Sequence, residues 1–561
     1  MSIREQLSDE RKHLQSIGHL PEWFTTDGWS LFKQKYAVAG EDAFLGRAKT
    51  IAKTAARHSP DPVYWEAKFF EAIWNGWLSC STPILSNAGT TRGLVVSCSG
   101  QLIGDSIHDF YNTLHNAAML SKMGFGTSGY LGKIRPRGAK ISTGGKSQGV
   151  LPVYEDFVTM ASKVSQGGTR RGSWAGYLPM MHPDFQEVYD FVYDKPDEVN
   201  VGWNWYDNDT KNMKAGDEET DNRFKKVMKL RAVQGKGYMF FPNKANRLAP
   251  QMYKDLGLII ESSNLCCEIA LFQDESHDFT CVLAANNMAK YNEWKDKDLI
   301  FTSTVFLDCI CSEFLENAKG IPGLENAIRF TEKGRALGLG VCGFHTYLQQ
   351  ERIPFASLDA QFFNNAFFKE MQKETFRASE WLAKELGEPE WCKGYGRRNT
   401  HTMAMMPTMS TAAIMGGVSQ GIEPMIGNAF VASIAGGESE RINPVFLDLM
   451  KERGKYSRKL VKHIVDNYGS VQDQDWLTDH EKLVFLTAYE IPQEVIIRLA
   501  NQRGKWIDQG QSLNLFVDAD APEGYVAYLH RLIIEAEYIK GAYYLRSQAG
   551  VSASMGCVAC Q

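Results

Sequence analysis

The residues best able to do chemistry in this chain are its cysteines, and the densest cluster is Ser263-Asn264-Leu265-Cys266-Cys267-Glu268-Ile269. In extended conformation alternate side chains share a face, so Asn264, Cys266 and Glu268 would point one way while Leu265, Cys267 and Ile269 point the other. An amide, a thiol and a carboxylate then converge, offering a hydrogen-bonding anchor, a sulfur centre and a general base within one small site. A partly buried edge strand is the plainer reading of the same alternation. At the C-terminus Cys557 and Cys560 form C-x-x-C, a spacing that suits a redox pair or half of a zinc site. A zinc site needs a second pair of ligands, and none of the twelve histidines falls in an H-E-x-x-H or similar spacing. The expectation is thiol chemistry with no metal bound in this chain.

Anion binding has its own candidates. Met406-Pro407-Thr408-Met409-Ser410-Thr411-Ala412 brings hydroxyls and backbone amides to what reads as a helix start, where the dipole favours an anion such as a diphosphate. An ordinary capped helix is the alternative there. Two more familiar patterns fail. Gly124, Gly126 and Gly129 spell G-x-G-x-x-G but follow a helical stretch rather than a strand. Gly145-Lys146-Ser147 ends like a phosphate loop, yet its first glycine would fall at Lys140.

These groups must be positioned by something, and the texture of the chain says what. The first seventy-odd residues carry helical spacing and many aromatic residues, among them Tyr64, Trp65, Phe69, Phe70, Trp74 and Trp77. From Ser79 to Gly176 short β-prone pieces such as Leu94 to Ser97 alternate with helical stretches such as Tyr111 to Met123, which predicts α/β organisation. Residues 200–222 are polar and acidic and read as a surface excursion. Tyr525, Leu529, Leu532, Ile533, Ala536 and Ile539 predict a helix running to Gly541. A β-prone piece, Ala542 to Leu545, and a tail too small and polar to pack well follow it. The expected division is a helical region over 1–78, a catalytic α/β domain over 79–545 and a flexible tail over 546–561.

Bulk properties narrow the class. With 561 residues, 44% hydrophobic and 23% charged, the chain can bury a large core. Its 61 basic and 66 acidic residues are interspersed and give a net charge of −5, which excludes the one-sided basic face of a nucleic-acid binder. The start, MSIREQLSDERKHLQ, lacks the apolar core of a signal peptide, and no run reaches the roughly 18 apolar residues needed to span a bilayer. A cytoplasmic protein is expected, and eleven cysteines spread over so long a chain fit thiols kept reduced or used in chemistry.

The segment N-L-C-x-E-I resembles the finger-loop motif of ribonucleotide reductases, and other motifs of that family follow in its order. The resemblance implies that Cys266 holds a transient thiyl radical that abstracts the ribose 3′ hydrogen, that Glu268 takes the 3′ hydroxyl proton and that Asn264 binds substrate hydroxyls. Removing the 2′ hydroxyl as water consumes two electrons, which a dithiol can supply by becoming a disulfide. Cys98, in GLVVSCSGQLIGDS, and Cys281, in DFTCVLAANNMA, resemble that reducing pair. Cys557 and Cys560 resemble the tail shuttle that restores it and is itself reduced by thioredoxin or glutaredoxin. Thirteen steps separate Tyr544 from Cys557, at most ~45 Å of chain against a radius on the order of 30 Å.

KGAYYLR resembles the class I tyrosine dyad, which implies that Tyr543 and Tyr544 pass a radical between a separate, metal-containing small subunit and Cys266. The M-P-[ST] segment, with Pro407, Thr408, Met409, Ser410 and Thr411, resembles the substrate-phosphate loop, and Gly421-Ile422-Glu423-Pro424 matches G-I-E-P. Thr82 and Ser97 sit where the family contacts substrate. Asp105, Ser106, Ile107 and Arg135, with Gln166, Gly167, Gly168 and Arg170, resemble the segments that bind nucleoside triphosphate effectors (dNTP or ATP). WIDQGQSLNLF at 506–516 is a further family segment. The family's N-terminal ATP cone has no counterpart here.

The implied fold is a ten-stranded α/β barrel of two five-stranded halves with the finger loop through its centre. The implied function is a ribonucleoside-diphosphate reductase large subunit, acting on ribonucleoside diphosphates as a homodimer without cofactor of its own. An adenosylcobalamin-dependent reductase shares the cysteines but not the tyrosine dyad. A silent nucleotide-binding paralogue would have lost some of Cys98, Cys266, Cys281 and Glu268. A simple thiol-disulfide carrier accounts for the tail alone.

Overall fold

Aromatic residues at helical spacing gather the N-terminal region into four helices, α1 (Ile3–Ser16), α2 (Thr26–Lys35), α3 (Ala43–Ala56) and α4 (Pro62–Trp74). Thr25 caps α2 by accepting from Gly28 N, and Asp61 caps α4 by accepting from Tyr64 N, with Pro62 in the first turn. Phe24 and Phe32 pack on Phe44 at centroid distances of 4.9 and 5.5 Å, and burying each such ring is worth about 1.5–3 kcal/mol. The computed structural model describes residues 3–164, 172–434 and 437–548. Among the described residues no helix is long and apolar enough to cross a membrane.

The strands are β1 (Leu78–Cys80), β2 (Cys98–Leu102), β3 (Gly126–Tyr130), β4 (Trp174–Pro179), β5 (Asn200–Asn204), β6 (Tyr238–Phe240), β7 (Phe279–Asn287), β8 (Leu337–Cys342), β9 (Ala429–Ile434), β10 (Gly437–Ile442), β11 (Leu515–Val517), β12 (Gly541–Ala542) and β13 (Leu545–Ser547). Strands β2 to β6 run parallel in sequence order and form one five-stranded half. The other half starts at β7, which pairs parallel with β8. Leu339 then bridges to Met403, and Met405 to Gln511, both in parallel sense. Finally β11 pairs parallel with β13. The two halves meet at antiparallel seams, β7 on β2 and β12 on β6. Ten strand positions therefore close on themselves, which removes the open sheet edges.

Near-continuous apolar strands such as FTCVLAANN (β7) and LGLGVC (β8), buried along their whole length, are what parallel strands covered on both faces require. Small residues make room for large ones: a Cβ at Gly202 would lie 2.2 Å from the Tyr177 ring. Between Gly421 and Gln493 the chain leaves the barrel, and Phe446, Leu449, Ile464 and Phe485 help form a second, smaller core beneath the β9–β10 hairpin.

Four local expectations change. Residues 200–222 are not a surface excursion: Asn200–Asn204 is strand β5, carrying the fully buried Trp203, and helices over 207–214 and 218–234 follow. The strand signal at Leu94 to Ser97 begins four residues later, at Cys98, with Leu94 N bonded instead to Met123 O outside any ladder. The helix before Gly541 stops at Glu535, where Ala536 turns extended, since Tyr538 N must reach Asn501 Oδ1 and Lys540 must reach the carbonyls of 507–509. Residues 263–269 are a tight turn rather than a strand, as described below.

Behind the second half, Asp308 sits on the helix Leu299–Ala318 and receives Arg335 Nε at 2.8 Å, Arg398 Nε at 3.0 Å and Asn399 Nδ2 at 2.9 Å. Burial pushes its carboxyl up, but the two guanidinium groups outweigh it and hold the group down at about 2. A depressed carboxyl stabilises the fold above its unfolded value near 4, and that contribution is lost as pH falls from 4 towards 2. Asp308→Asn leaves two buried arginines without their anion and should destabilise the chain by about 3–5 kcal/mol. A urea midpoint at pH 7 equal to the parent's would contradict this.

Candidate active site

The loop 261–270 crosses between the two barrel halves and is held from both sides. From the first half, Ser128 Oγ donates to Ser263 O (2.8 Å) and Tyr177 Oη to Asn264 O (2.6 Å). From the second, Gly510 N donates to Glu268 O (2.7 Å) and Ser512 Oγ to Cys266 O (2.8 Å). The loop is not extended because Asn264 folds it: its Oδ1 accepts from both Glu268 N and Ile269 N at 3.1 Å. That closure forces Cys267 into the left-handed region at φ 64°, a conformation a non-glycine residue adopts only when its surroundings dictate it.

The turn still brings the anticipated groups together. Asn264 Nδ2 donates to Cys98 Sγ at 3.3 Å, and Ser512 Oγ reaches Glu268 Oε2 at 3.1 Å. Cys98 lies directly opposite Cys281 in the antiparallel register of β2 and β7. Opposed residues in such a ladder have Cα atoms ~4.5–5.5 Å apart, inside the 4.4–6.8 Å span a disulfide bridges. Gln509 Nε2 donates to Cys281 Sγ at 3.3 Å. Burial pushes the Cys281 thiol well up, Gln509 partly opposing it, and burial likewise raises Cys267 to about 12. The described cysteines are all thiols.

Cys98, Cys266 and Glu268 open onto one cavity. Thr82, Ser97, Pro407, Thr408, Met409, Ser410 and Thr411, from two other segments, line it as well. Thr408 takes φ 52° at the start of the helix Met409–Ile414, and its Oγ1 accepts from Gly421 N at 2.8 Å, so the G-I-E-P segment buttresses the M-P-T segment. The N-terminal helices reach the same wall, with Tyr36 Oη 3.2 Å from Thr82 Oγ1.

Tyr543 Oη donates to Cys266 Sγ at 3.4 Å. The Tyr543 and Tyr544 rings lie 4.2 Å apart, and Tyr238 packs on both, at 4.8 and 5.4 Å, with its hydroxyl 3.2 Å from that of Tyr544. Tyr543 is fully buried. An unbroken line of redox-active groups thus runs from the part-buried Tyr544 to the sulfur.

Asp105, Ser106, Ile107 and Arg135 form a separate cluster that does not line the cavity. Ser106 caps the helix Ile107–Lys122, Ile107 is exposed, and Asp105 binds Arg135 through Nε (2.6 Å) and N (3.0 Å). Gln166, Gly167, Gly168, Arg170, Cys557 and Cys560 lie outside the described residues. Residues missed from sequence are Gln509 and Ser512, which touch Cys281 and Glu268, Tyr177, whose hydroxyl lies 3.1 Å from Cys267 Sγ, and Tyr238. Their one signal was polar residues in an otherwise apolar frame, as in WIDQGQSLNLF.

The architecture has known counterparts. Residues 96–216, 192–395 and 389–545 match the family model for the ribonucleotide reductase barrel domain, and 22–93 match that for the ribonucleotide reductase all-alpha domain. The chain is 33% identical over 497 residues to the putative ribonucleoside-diphosphate reductase large subunit of Frog virus 3 (isolate Goorha), covering 85% of this chain and 86% of the relative. It is 27% identical over 607 residues to the ribonucleoside-diphosphate reductase large subunit of Invertebrate iridescent virus 3, covering 94% of each. Among solved structures, the Actinobacillus ureae class Id ribonucleotide reductase alpha subunit superposes with a TM-score of 0.87 at 38% identity, over 96% of this chain and 99% of that one.

The opposed thiols make a direct prediction. Mild oxidation should join Cys98 to Cys281, seen by peptide mass spectrometry as a loss of two hydrogens, while Cys266 remains alkylatable after denaturation. A Cys98–Cys266 crosslink in their place would contradict the geometry.

Proposed function

The chain belongs to the ribonucleotide reductase large-subunit family, and we propose that its cavity is where a ribonucleoside diphosphate loses its 2′ hydroxyl. The observation that carries this reading is the meeting of Cys98, Cys266 and Glu268 on one wall of one cavity, with Cys281 behind Cys98.

The radical comes from a separate small subunit. It passes through Tyr544 and Tyr543 to Cys266, and the 3.4 Å hydrogen bond from Tyr543 to Cys266 Sγ supports coupled proton and electron transfer over that last step. The thiyl sulfur of Cys266 takes the 3′ hydrogen atom from the ribose, becoming a thiol. Glu268, oriented by Ser512, takes the 3′ hydroxyl proton, and Asn264 binds the neighbouring hydroxyl from an amide whose other atoms are already committed to the turn. The 2′ hydroxyl leaves as water. Cys98 and Cys281 supply two electrons and two protons as one S–S bond forms between them, Glu268 returns its proton to the 3′ oxygen, and Cys266 returns the hydrogen atom to the 3′ carbon. Burial of Tyr543, Cys266, Glu268, Cys98 and Cys281 keeps the radical from solvent and stray donors.

The substrate diphosphate lies against Thr408–Thr411, with Thr82 and Ser97 closing the ribose side. The effector site comprises Asp105, Ser106, Ile107 and Arg135 with Gln166, Gly167, Gly168 and Arg170, and the ion pair of Arg135 at the head of a capped helix supports it. Cys557 and Cys560 re-reduce the Cys98–Cys281 disulfide and are themselves reduced by thioredoxin or glutaredoxin. The enzyme works as a homodimer in the cytoplasm.

The test mixes the chain with a candidate radical-bearing small subunit, a dithiol and CDP, and measures dCDP. Cys266→Ser should abolish turnover. Tyr544→Phe should also abolish it while leaving nucleotide affinity unchanged in equilibrium binding. Substantial dCDP formation by either variant would refute the assignment.

A further inference from the structure

The two sulfurs of the reducing pair are not equivalent. Cys98 lines the cavity, whereas Cys281 is 0% exposed and the wall contributed by β7 begins only at Leu283. Behind Cys281 the backbone of β8 is packed so closely that a Cβ at Gly338 would lie 3.0 Å from its sulfur. An incoming thiolate can meet Cys98 Sγ from the cavity and has no path to Cys281 Sγ. Thiol–disulfide exchange is governed by which sulfur is attacked and by how well the other one leaves.

Burial opposes a thiolate on Cys281, and the Gln509 amide acts against that cost. Gln509 is fully buried, and its side chain is immobilised at every polar atom: Nε2 donates to Leu337 O (2.8 Å) and to Cys281 Sγ (3.3 Å), and Oε1 accepts from Ala270 N (3.4 Å). Lys540 in turn fixes the backbone beneath it by donating to the carbonyls of Ile507, Asp508 and Gln509. A hydrogen bond to a charged group is worth roughly twice a neutral one, so this N–H favours a thiolate over a thiol or a disulfide. Asn264 stands in the same relation to Cys98.

We infer that when the active-site disulfide is re-reduced, Cys98 is the sulfur attacked and Cys281 the sulfur that leaves, with the Gln509 amide as the positioning residue that stabilises the departing thiolate. The inference rests on the reading of Cys98 and Cys281 as the reducing pair. The attacking thiolate forms a bond to Cys98 Sγ as the Cys98–Cys281 bond breaks and its electron pair stays on Cys281, which then takes a proton. The second thiol of the reductant attacks its own partner in the mixed disulfide, and Cys98 leaves beside Asn264 and is protonated. The reductant dithiol is oxidised and both active-site thiols are restored.

The experiment uses the full chain carrying Cys557→Ser and Cys560→Ser, turned over once with CDP and a small subunit in the absence of reductant. Failure of any Cys98–Cys281 disulfide to form would defeat the functional reading itself. With the disulfide formed, glutathione is added and the adduct mapped by mass spectrometry after alkylation. The expected result is glutathione on Cys98 with Cys281 alkylated; glutathione on Cys281 would overturn this inference alone. In a second arm dithiothreitol reduces the oxidised protein. Gln509→Leu should slow that step about tenfold. Gln509→Glu, which puts a carboxylate beside the leaving thiolate, should slow it further. Parent-like rates in variants with parent-like melting curves would overturn the role of Gln509, and if neither variant folds the adduct position decides.

Discussion

One buried amide holds the site together. Asn264 bonds the backbone of Glu268 and Ile269 through Oδ1, reaches Cys98 through Nδ2, and accepts Tyr177 Oη on its own carbonyl. An unsatisfied polar group at that depth would cost several kcal/mol, so the turn, the orientation of β2 towards it and the position of β4 are fixed by a single set of bonds. The strain at Cys267 is a consequence, since the chain accepts a left-handed residue in order to keep this amide fully used.

Around that centre the barrel assigns each group to a different part of the chain. The first half contributes Cys98, the second Cys281, the loop between them Cys266 and Glu268, and the closing strand region the two tyrosines. The segment 508–514 ties them to a common frame. Asp508 accepts from Thr402 N and Met403 N, Gln509 reaches Cys281, Ser512 reaches Glu268, and Asn514 Oδ1 accepts from Tyr544 N. A small displacement of this one segment would move Glu268, Cys281 and Tyr544 together.

Much of this is legible in the sequence. Cysteine, carboxylate and tyrosine types in a fixed order point to the chemistry, and residues of the M-P-T segment line the cavity that Cys98 and Cys266 open onto. Other features left no trace in pattern. Alternation suggested a strand at 263–269 because period two is indifferent to whether a side-chain amide folds the backbone back on itself. Residues 200–222 misled because charged helices follow a strand only five residues long, and their composition dominated the window. Barrel closure was invisible to periodicity, since part of it rests on isolated bridges such as Leu339 to Met403. Gln509 gave no sign of its task because a buried glutamine looks the same whether it serves a carbonyl or a sulfur.

The seam between β6 and β12 has a consequence for how the molecule comes into being. Residues 239–240 pair with residues 541–542, so the ring closes through a contact spanning about three hundred positions, of the kind whose loop entropy makes assembly slow. The strand that completes the ring also leads directly into the tyrosines that contact Cys266. A half-assembled chain therefore lacks the hydrogen bond from Tyr543 to Cys266, and the proposed path to that sulfur is complete only when the ring is.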